Sequence, residues 1–174
     1  EILKQKFFAI DTETTSLDTI AAEIVGISLC IAIGKACYIP IAHQPNQPEH
    51  KGFEENQLDR DLVFEKLQPL LANESILKIG HNIKYDIKVL AKYKCSVNSF
   101  DDTMIMSHCI NGGRQRHSLD TISKDLLHHE TKKLKDLIGS GKKQLNFKNV
   151  PISLAADYAA EDADMTFRAW KILK

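Results

Sequence analysis

Short apolar runs dense in β-branched residues fill the first quarter of this chain, and apolar positions spaced three and four apart dominate the remainder. Residues 6–10, Lys-Phe-Phe-Ala-Ile, predict a first strand. Residues 23–33 and 36–41 predict a second and a third, joined by the turn signal Gly34-Lys35 into a hairpin. Residues 43–52 carry Pro45 and Pro48 and read as a surface loop. Over residues 56–71, Leu58, Leu62, Val63, Leu67, Leu70 and Leu71 form a helical stripe. A short buried strand follows at 75–79, ending at Gly80. Ile83, Ile87, Leu90 and Ala91 then mark a helix over 83–93, with Asn82 as its N-cap. Residues 97–100 predict a fifth strand, and 102–110 a helix stopped by Asn111-Gly112-Gly113. Residues 118–127 are helical, 128–135 are polar and basic, and 139–143 form a flexible basic loop. A long final helix spans 152–173, opened after Pro151 by Ser153.

Three antiparallel strands followed by alternating helices and strands define an α/β domain. Its central sheet is mixed, with three antiparallel strands plus two parallel ones, flanked by helices. That element order is the order of the ribonuclease H-like fold, but a fold alone does not give a function. The 174 residues suit a single domain. The chain starts at Glu1 without a methionine and stops at Lys174 inside a helical pattern, so residues 1–174 are expected to be a domain excised from a longer protein. Net charge is zero, so no global positive field draws in nucleic acid, and any such binding must rest on local basic patches or metal ions. No apolar run approaches the roughly 20 residues that span a bilayer, and no signal-peptide pattern is present. Cys30, Cys37, Cys95 and Cys109 are scattered and read as buried thiols in a reducing compartment.

The first strand runs out in Asp11-Thr-Glu13. Residues two apart on a strand share a face, so these carboxylates converge and repel unless something positive sits between them. Further acids match them. Asp86 lies in the first turn of the helix after the fourth strand, at the sheet edge where ligands gather in such folds. On the final helix Tyr158 and Asp162 are four apart and share a face, and Ala155, Ala159, Ala163 and Thr166 extend a close-packing stripe. Glu161 and Asp164 are weaker candidates than Asp162, being turned to other faces. Four oxygen ligands with no paired His or Cys suit magnesium or manganese. Two such ions about 4 Å apart clamp the attacking and leaving oxygens of an in-line phosphoryl displacement, and a tyrosine hydroxyl beside them orients the water. The constellation points to phosphodiester hydrolysis.

Asp11-Thr-Glu13-Thr-Thr-Ser-Leu17, Asn82-Ile-Lys-Tyr-Asp86 and Tyr158-Ala-Ala-Glu-Asp162 resemble the three exonuclease motifs of the DEDD superfamily. The match is nearest to the proofreading 3′–5′ exonuclease domain of bacterial DNA polymerase I, the family A polymerases. It extends to linking segments such as Tyr38-Ile-Pro-Ile-Ala-His43, Phe100-Asp-Asp-Thr-Met104 and Gly139-Ser-Gly-Lys-Lys-Gln-Leu145. A tyrosine four residues before the last aspartate is similar to the tyrosine branch of the superfamily. The resemblance implies that Asp11, Glu13 and Asp162 hold the water-bearing metal, with Asp11 shared and Asp86 serving the second metal partly through water. It implies that Tyr158 positions the water and that Leu17 wedges between the last two bases. It also implies that Asn82 and Tyr85 contact the terminal nucleotides, with Lys84 close by. A phosphate-contacting arginine falls at Arg114 or Arg116, because residues 111–117 are shorter than in the best-known relative. Leu134 stands where that relative places an aromatic against the DNA, so stacking there should be weaker. Asp102 reads as structural.

The implied partners are the 3′ end of single-stranded DNA and a polymerase domain on the same full-length chain. The implied setting is the bacterial cytoplasm, at the nucleoid, with no membrane, and the isolated domain is expected to be a monomer. Lys132, Lys133, Lys135, Lys142 and Lys143, with Lys84 and Lys88, could track a strand backbone. The seven histidines lack metal spacing and read as surface residues. Two other functions compete: an RNA-trimming exonuclease of the same branch, and a catalytically silent domain that only binds DNA or braces a polymerase.

Overall fold

The computed structural model describes residues 1–45, 57–113, 116–141 and 144–174. A short helix α1 (Ile2–Gln5), absent from the hydropathy pattern, leads into β1 (Phe7–Thr14), β2 (Ile24–Ala32) and β3 (Lys35–Pro40). There follow α2 (Arg60–Ala72), β4 (Leu77–Gly80), α3 (Lys84–Ala91), β5 (Phe100–Asp102), α4 (Thr103–Asn111), α5 (Leu119–Leu127), α6 (Leu134–Ile138) and α7 (Ile152–Leu173). The sheet order is β3-β2-β1-β4-β5. The β1/β2 and β2/β3 pairs are antiparallel, and β1/β4 and β4/β5 are parallel, as the element order implies.

Alternation along β1 assigns the two faces of the sheet. Phe8 and Ile10 pack into a core with Val63, Phe64 and Leu67 of α2 and Val89 and Leu90 of α3. Ala9, between them, faces the other way, into a cluster with Ala163, Phe167 and Trp170 of α7. The buried stripe Ala155, Ala159, Ala163 and Thr166 lets α7 lie close over the sheet.

Several expectations shift. α2 starts after the N-cap Asp59 and buries Val63, Phe64, Leu67 and Leu71, leaving Leu58 and Leu62 exposed. β5 begins at Phe100, three residues later than the β-branched pattern suggests, because its partner is set by β4. Asn82 is not an N-cap: it takes a left-handed conformation (φ 58°), and Ile83 precedes α3 with no side-chain cap. The basic stretch contains α6, and α7 is preceded by Pro151 with no side-chain cap from Ser153. Cys30 and Cys95 are buried, but Cys37 and Cys109 are exposed. Most of the proline-bearing loop, with Pro48, lies outside the described residues.

One buried histidine corrects the surface assignment. His43 Nδ1 bonds the Val150 carbonyl (2.9 Å) and its Nε2 bonds the Tyr38 hydroxyl (2.7 Å). The Tyr38 ring then lies over Gly26, where a Cβ would come within 2.1 Å of the hydroxyl oxygen. Tyr38 is anchored by His43 and cannot swing aside freely. Gly26→Ala should therefore destabilise the fold by about 1–3 kcal/mol through overpacking, read as a lower urea midpoint at unchanged slope.

Candidate active site

The alternation that sorts β1 also sorts its acids. Asp11 and Glu13 share the parity of Ala9 and so face α7, while Thr12 shares the parity of Ile10 and faces α3. On the α7 side, Asp162 meets them: one carboxylate oxygen from each of Asp11, Glu13 and Asp162 lies within 4.8 Å of the others. On the α3 side, one oxygen of Asp86 accepts both the Thr12 backbone N–H (3.0 Å) and the Thr12 hydroxyl (2.5 Å). Glu13 and Asp86 are buried; Asp11 and Asp162 are half-buried. A bulge between Glu13 and Thr14 ends the regular ladder at this point.

Burial acts on all four acids, and the charge of a neighbouring acid adds to it at Glu13, Asp86 and Asp162. Burial, partly offset by the Thr12 N–H, lifts Asp11 to about 6. Burial and then the Asp11 charge lift Asp162 to about 8, against a hydrogen bond from Tyr158. Glu13 is held well above the usual carboxylate range by burial and by the charges of Asp11, Asp162 and Asp86. Asp86 is raised likewise, by burial and then by Asp11. Among the described residues no Lys or Arg forms an ion pair with any of the four. Converging hard oxygen donors with no cationic side chain to neutralise them fit a divalent ion of the magnesium or manganese type.

Tyr158, one turn before Asp162, packs its ring 6.2 Å from that of Phe147, with its hydroxyl beside Asp162. Burial and the adjacent carboxylates push that hydroxyl far up, so it stays protonated as a donor. The rival acids are engaged elsewhere. Glu161 accepts from His129 Nε2 (2.9 Å) and the Lys132 N–H (2.7 Å). Asp164 accepts the Gly34 N–H (2.8 Å) and pairs with Arg168 (2.8 Å).

A groove of about 690 Å³ opens beside Glu13 and is lined by Leu17, Tyr85 and Leu134, three of the residues singled out for DNA contact. Leu17 is 91% exposed on a loop whose backbone is pinned. The Tyr85 hydroxyl lies 2.5 Å from Thr14 Oγ1 and donates to the Ser16 carbonyl (2.5 Å), and Asn146 Nδ2 donates to the Thr15 carbonyl (2.8 Å). Asn82 and the exposed Lys84 do not line this groove. Arg114, Lys142 and Lys143 lie outside the described residues. The basic patch is weaker than its composition suggests: Lys133 pairs with Asp120 (3.0 Å) and Lys132 Nζ donates to the Asp157 carbonyl (3.1 Å). Sequence reasoning missed Thr12, Asn146 and Phe147, whose only signal was proximity to a motif or to a linking segment.

The model of the family described as 3′–5′ exonuclease matches residues 1–174. The chain belongs to that family. It is 41% identical over 177 aligned positions to DNA polymerase I of Rhizobium leguminosarum, covering 95% of this chain and 17% of the relative. It thus spans only a small part of that relative's length. Among solved structures, Brucella melitensis NrnC superposes with a TM-score of 0.70 at 26% identity, over 97% of this chain and 72% of that one. Escherichia coli RNase D, an exoribonuclease involved in structured RNA processing, shares the fold with a TM-score of 0.63 at 17% identity, over 97% and 38% of the two chains. The ribonuclease H-like architecture and the exonuclease family are thereby shown. No helix among the described residues is long and apolar enough to cross a bilayer.

The raised acids give a pH dependence of stability. A carboxyl whose folded pKa exceeds its unfolded value stabilises the fold at low pH, and that contribution is lost as pH rises through the folded pKa. For Asp11 and Asp162 the loss runs from about pH 4 to about pH 8. With a chelator present, the unfolding temperature should fall across this window. Asp162→Asn should fall less and exceed wild type at pH 8, and manganese should restore wild type most strongly at the alkaline end. Differential scanning calorimetry over the pH series checks all three.

Proposed function

We propose that this chain is a metal-dependent 3′–5′ exonuclease that hydrolyses the 3′-terminal phosphodiester of single-stranded or frayed DNA. It releases nucleoside 5′-monophosphates and proofreads within a longer DNA polymerase, during replication and repair in the bacterial cytoplasm at the nucleoid. The observation that carries the reading is the convergence of Asp11, Glu13 and Asp162 oxygens within 4.8 Å, uncompensated by any cationic side chain among the described residues and flanked by Tyr158. Family membership and identity to DNA polymerase I support the polymerase setting.

Asp11, Glu13 and Asp162 would hold one divalent ion, and Asp86, with Asp11 shared, would hold a second. When bound, magnesium or manganese supplies acidification of the attacking water and stabilisation of the departing 3′ oxygen. The chain's own groups do the rest. The protonated Tyr158 hydroxyl orients the water, held in place by Asp162 and by Phe147 behind its ring. Thr12 keeps Asp86 aimed at the site from the far side of β1. Leu17 separates the last two bases, and Tyr85 and Leu134 line the path of the strand. Asn82 and Lys84, with Arg114 or Arg116, complete the contacts to the terminal nucleotides and phosphates.

A 5′-labelled single-stranded DNA oligonucleotide should yield a ladder shortening from its 3′ end with magnesium or manganese. The ladder should vanish with a chelator and in Asp162→Ala, and Tyr158→Phe should slow it about 100-fold. A matched RNA strand run beside it should be cut more slowly. Faster cutting of RNA would favour the RNA-trimming reading, and no cleavage by wild type with manganese would favour the silent brace.

A further inference from the structure

Asp102, the last residue of β5, is 7% exposed and gives both carboxylate oxygens to backbone N–H groups. Oδ1 accepts from Asn82 (2.9 Å) and from Met104 (2.9 Å), and Oδ2 accepts from Ile83 (3.0 Å). The bond from Met104 is an ordinary N-cap of α4. The other two belong to the start of α3, which has no side-chain cap of its own. Thr103 adds to the hold: its hydroxyl donates to the Gly80 carbonyl (3.2 Å) and lies 2.9 Å from His81 Nδ1. Every residue of the turn 80–83 is thus held by Asp102 or Thr103. The turn needs holding. Asn82 sits at φ 58°, in the left-handed region that residues other than glycine enter seldom, asparagine among the few that do. Gly80 must stay bare, since a Cβ there would meet Ile83 at 2.6 Å.

A carboxylate that serves one helix start is a cap, and one that serves two fixes where they stand relative to each other. We propose that Asp102 is a positioning residue for the nuclease reaction. By locking the turn 80–83 while capping α4, it sets the placement of α3, and with it Asp86, Asn82 and Tyr85. The neighbouring Asp101 ties the same strand to α7, accepting from Trp170 Nε1 (2.7 Å) and Lys174 Nζ (2.9 Å). β5 therefore links the helix carrying Asp86 to the helix carrying Tyr158 and Asp162. The proposal rests on the exonuclease reading above.

Asp102→Ser separates the two duties, because a serine hydroxyl still caps α4 but cannot also reach the N–H groups of Asn82 and Ile83. The expected result is a folded protein that unfolds near the wild-type temperature. Its Asn82 and Ile83 amides exchange faster, its manganese affinity by calorimetry is weaker, and its kcat on the labelled strand is lower by on the order of 10- to 100-fold. Fast exchange at both amides with wild-type kcat and manganese affinity would overturn the proposal and leave Asp102 a cap. If Asp102→Ser does not fold, Thr103→Val, which removes only the hydroxyl bonds to the same turn, should show the same changes at smaller size; unchanged kcat there would equally overturn it. Wild type that binds manganese but cuts nothing would defeat the exonuclease reading alone, and the manganese isotherms of wild type and variant would still decide the clamp. Wild type that binds no manganese would defeat both.

Discussion

Four carboxylates of like charge, drawn out of water around the end of one strand, are the constraint on which the other features of this fold depend. Left alone they would separate or take up protons, and burial raises all four of them. The frame resists this with backbone and packing instead of opposite charge. A lysine or arginine among the acids would relieve the repulsion, but it would also fill the position of a divalent ion. Leaving the charge uncompensated keeps the site open to a cation, at a cost in stability that bound metal returns.

The frame works from both faces of a single strand. β1 sends Asp11 and Glu13 toward α7, where Asp162 joins them, and Thr12 toward α3, where it holds Asp86, so the acids of both helices are tied to one strand. α7 comes close enough because its inner stripe is alanine and threonine. Tyr38 can lie along the sheet because Gly26 leaves it space.

The acids were legible in the sequence because local periodicity carries them. Asp11 and Glu13 follow the strand period of two, and Tyr158 and Asp162 follow one helical turn. The sheet topology was legible for the same reason, since runs and turn signals are local. What escaped notice depends on partners distant in sequence. Nothing near Asn82 announces that Asp102 will bind its N–H, so it read as a cap when it is the residue being held. Nothing near His43 reveals that Val150 will close over it, so it read as exposed. β5 was placed three residues early because its register is dictated by β4 and not by its own β-branched residues. The lysines 132 and 133 promised a basic track, yet their ammonium groups find acceptors at Asp157 and Asp120 within the domain.

The position of α7 carries a further consequence. Asp11 lies on the first strand and Asp162 on the last helix, and the two come within ligand distance only with α7 seated on the sheet. A copy of this domain with α7 unseated therefore lacks the three-carboxylate cluster, which exists only where the sheet and the last helix are packed together. The cluster thus reports on the integrity of the core: a chain that cannot seat α7 has no such site for an ion, whatever local structure it keeps.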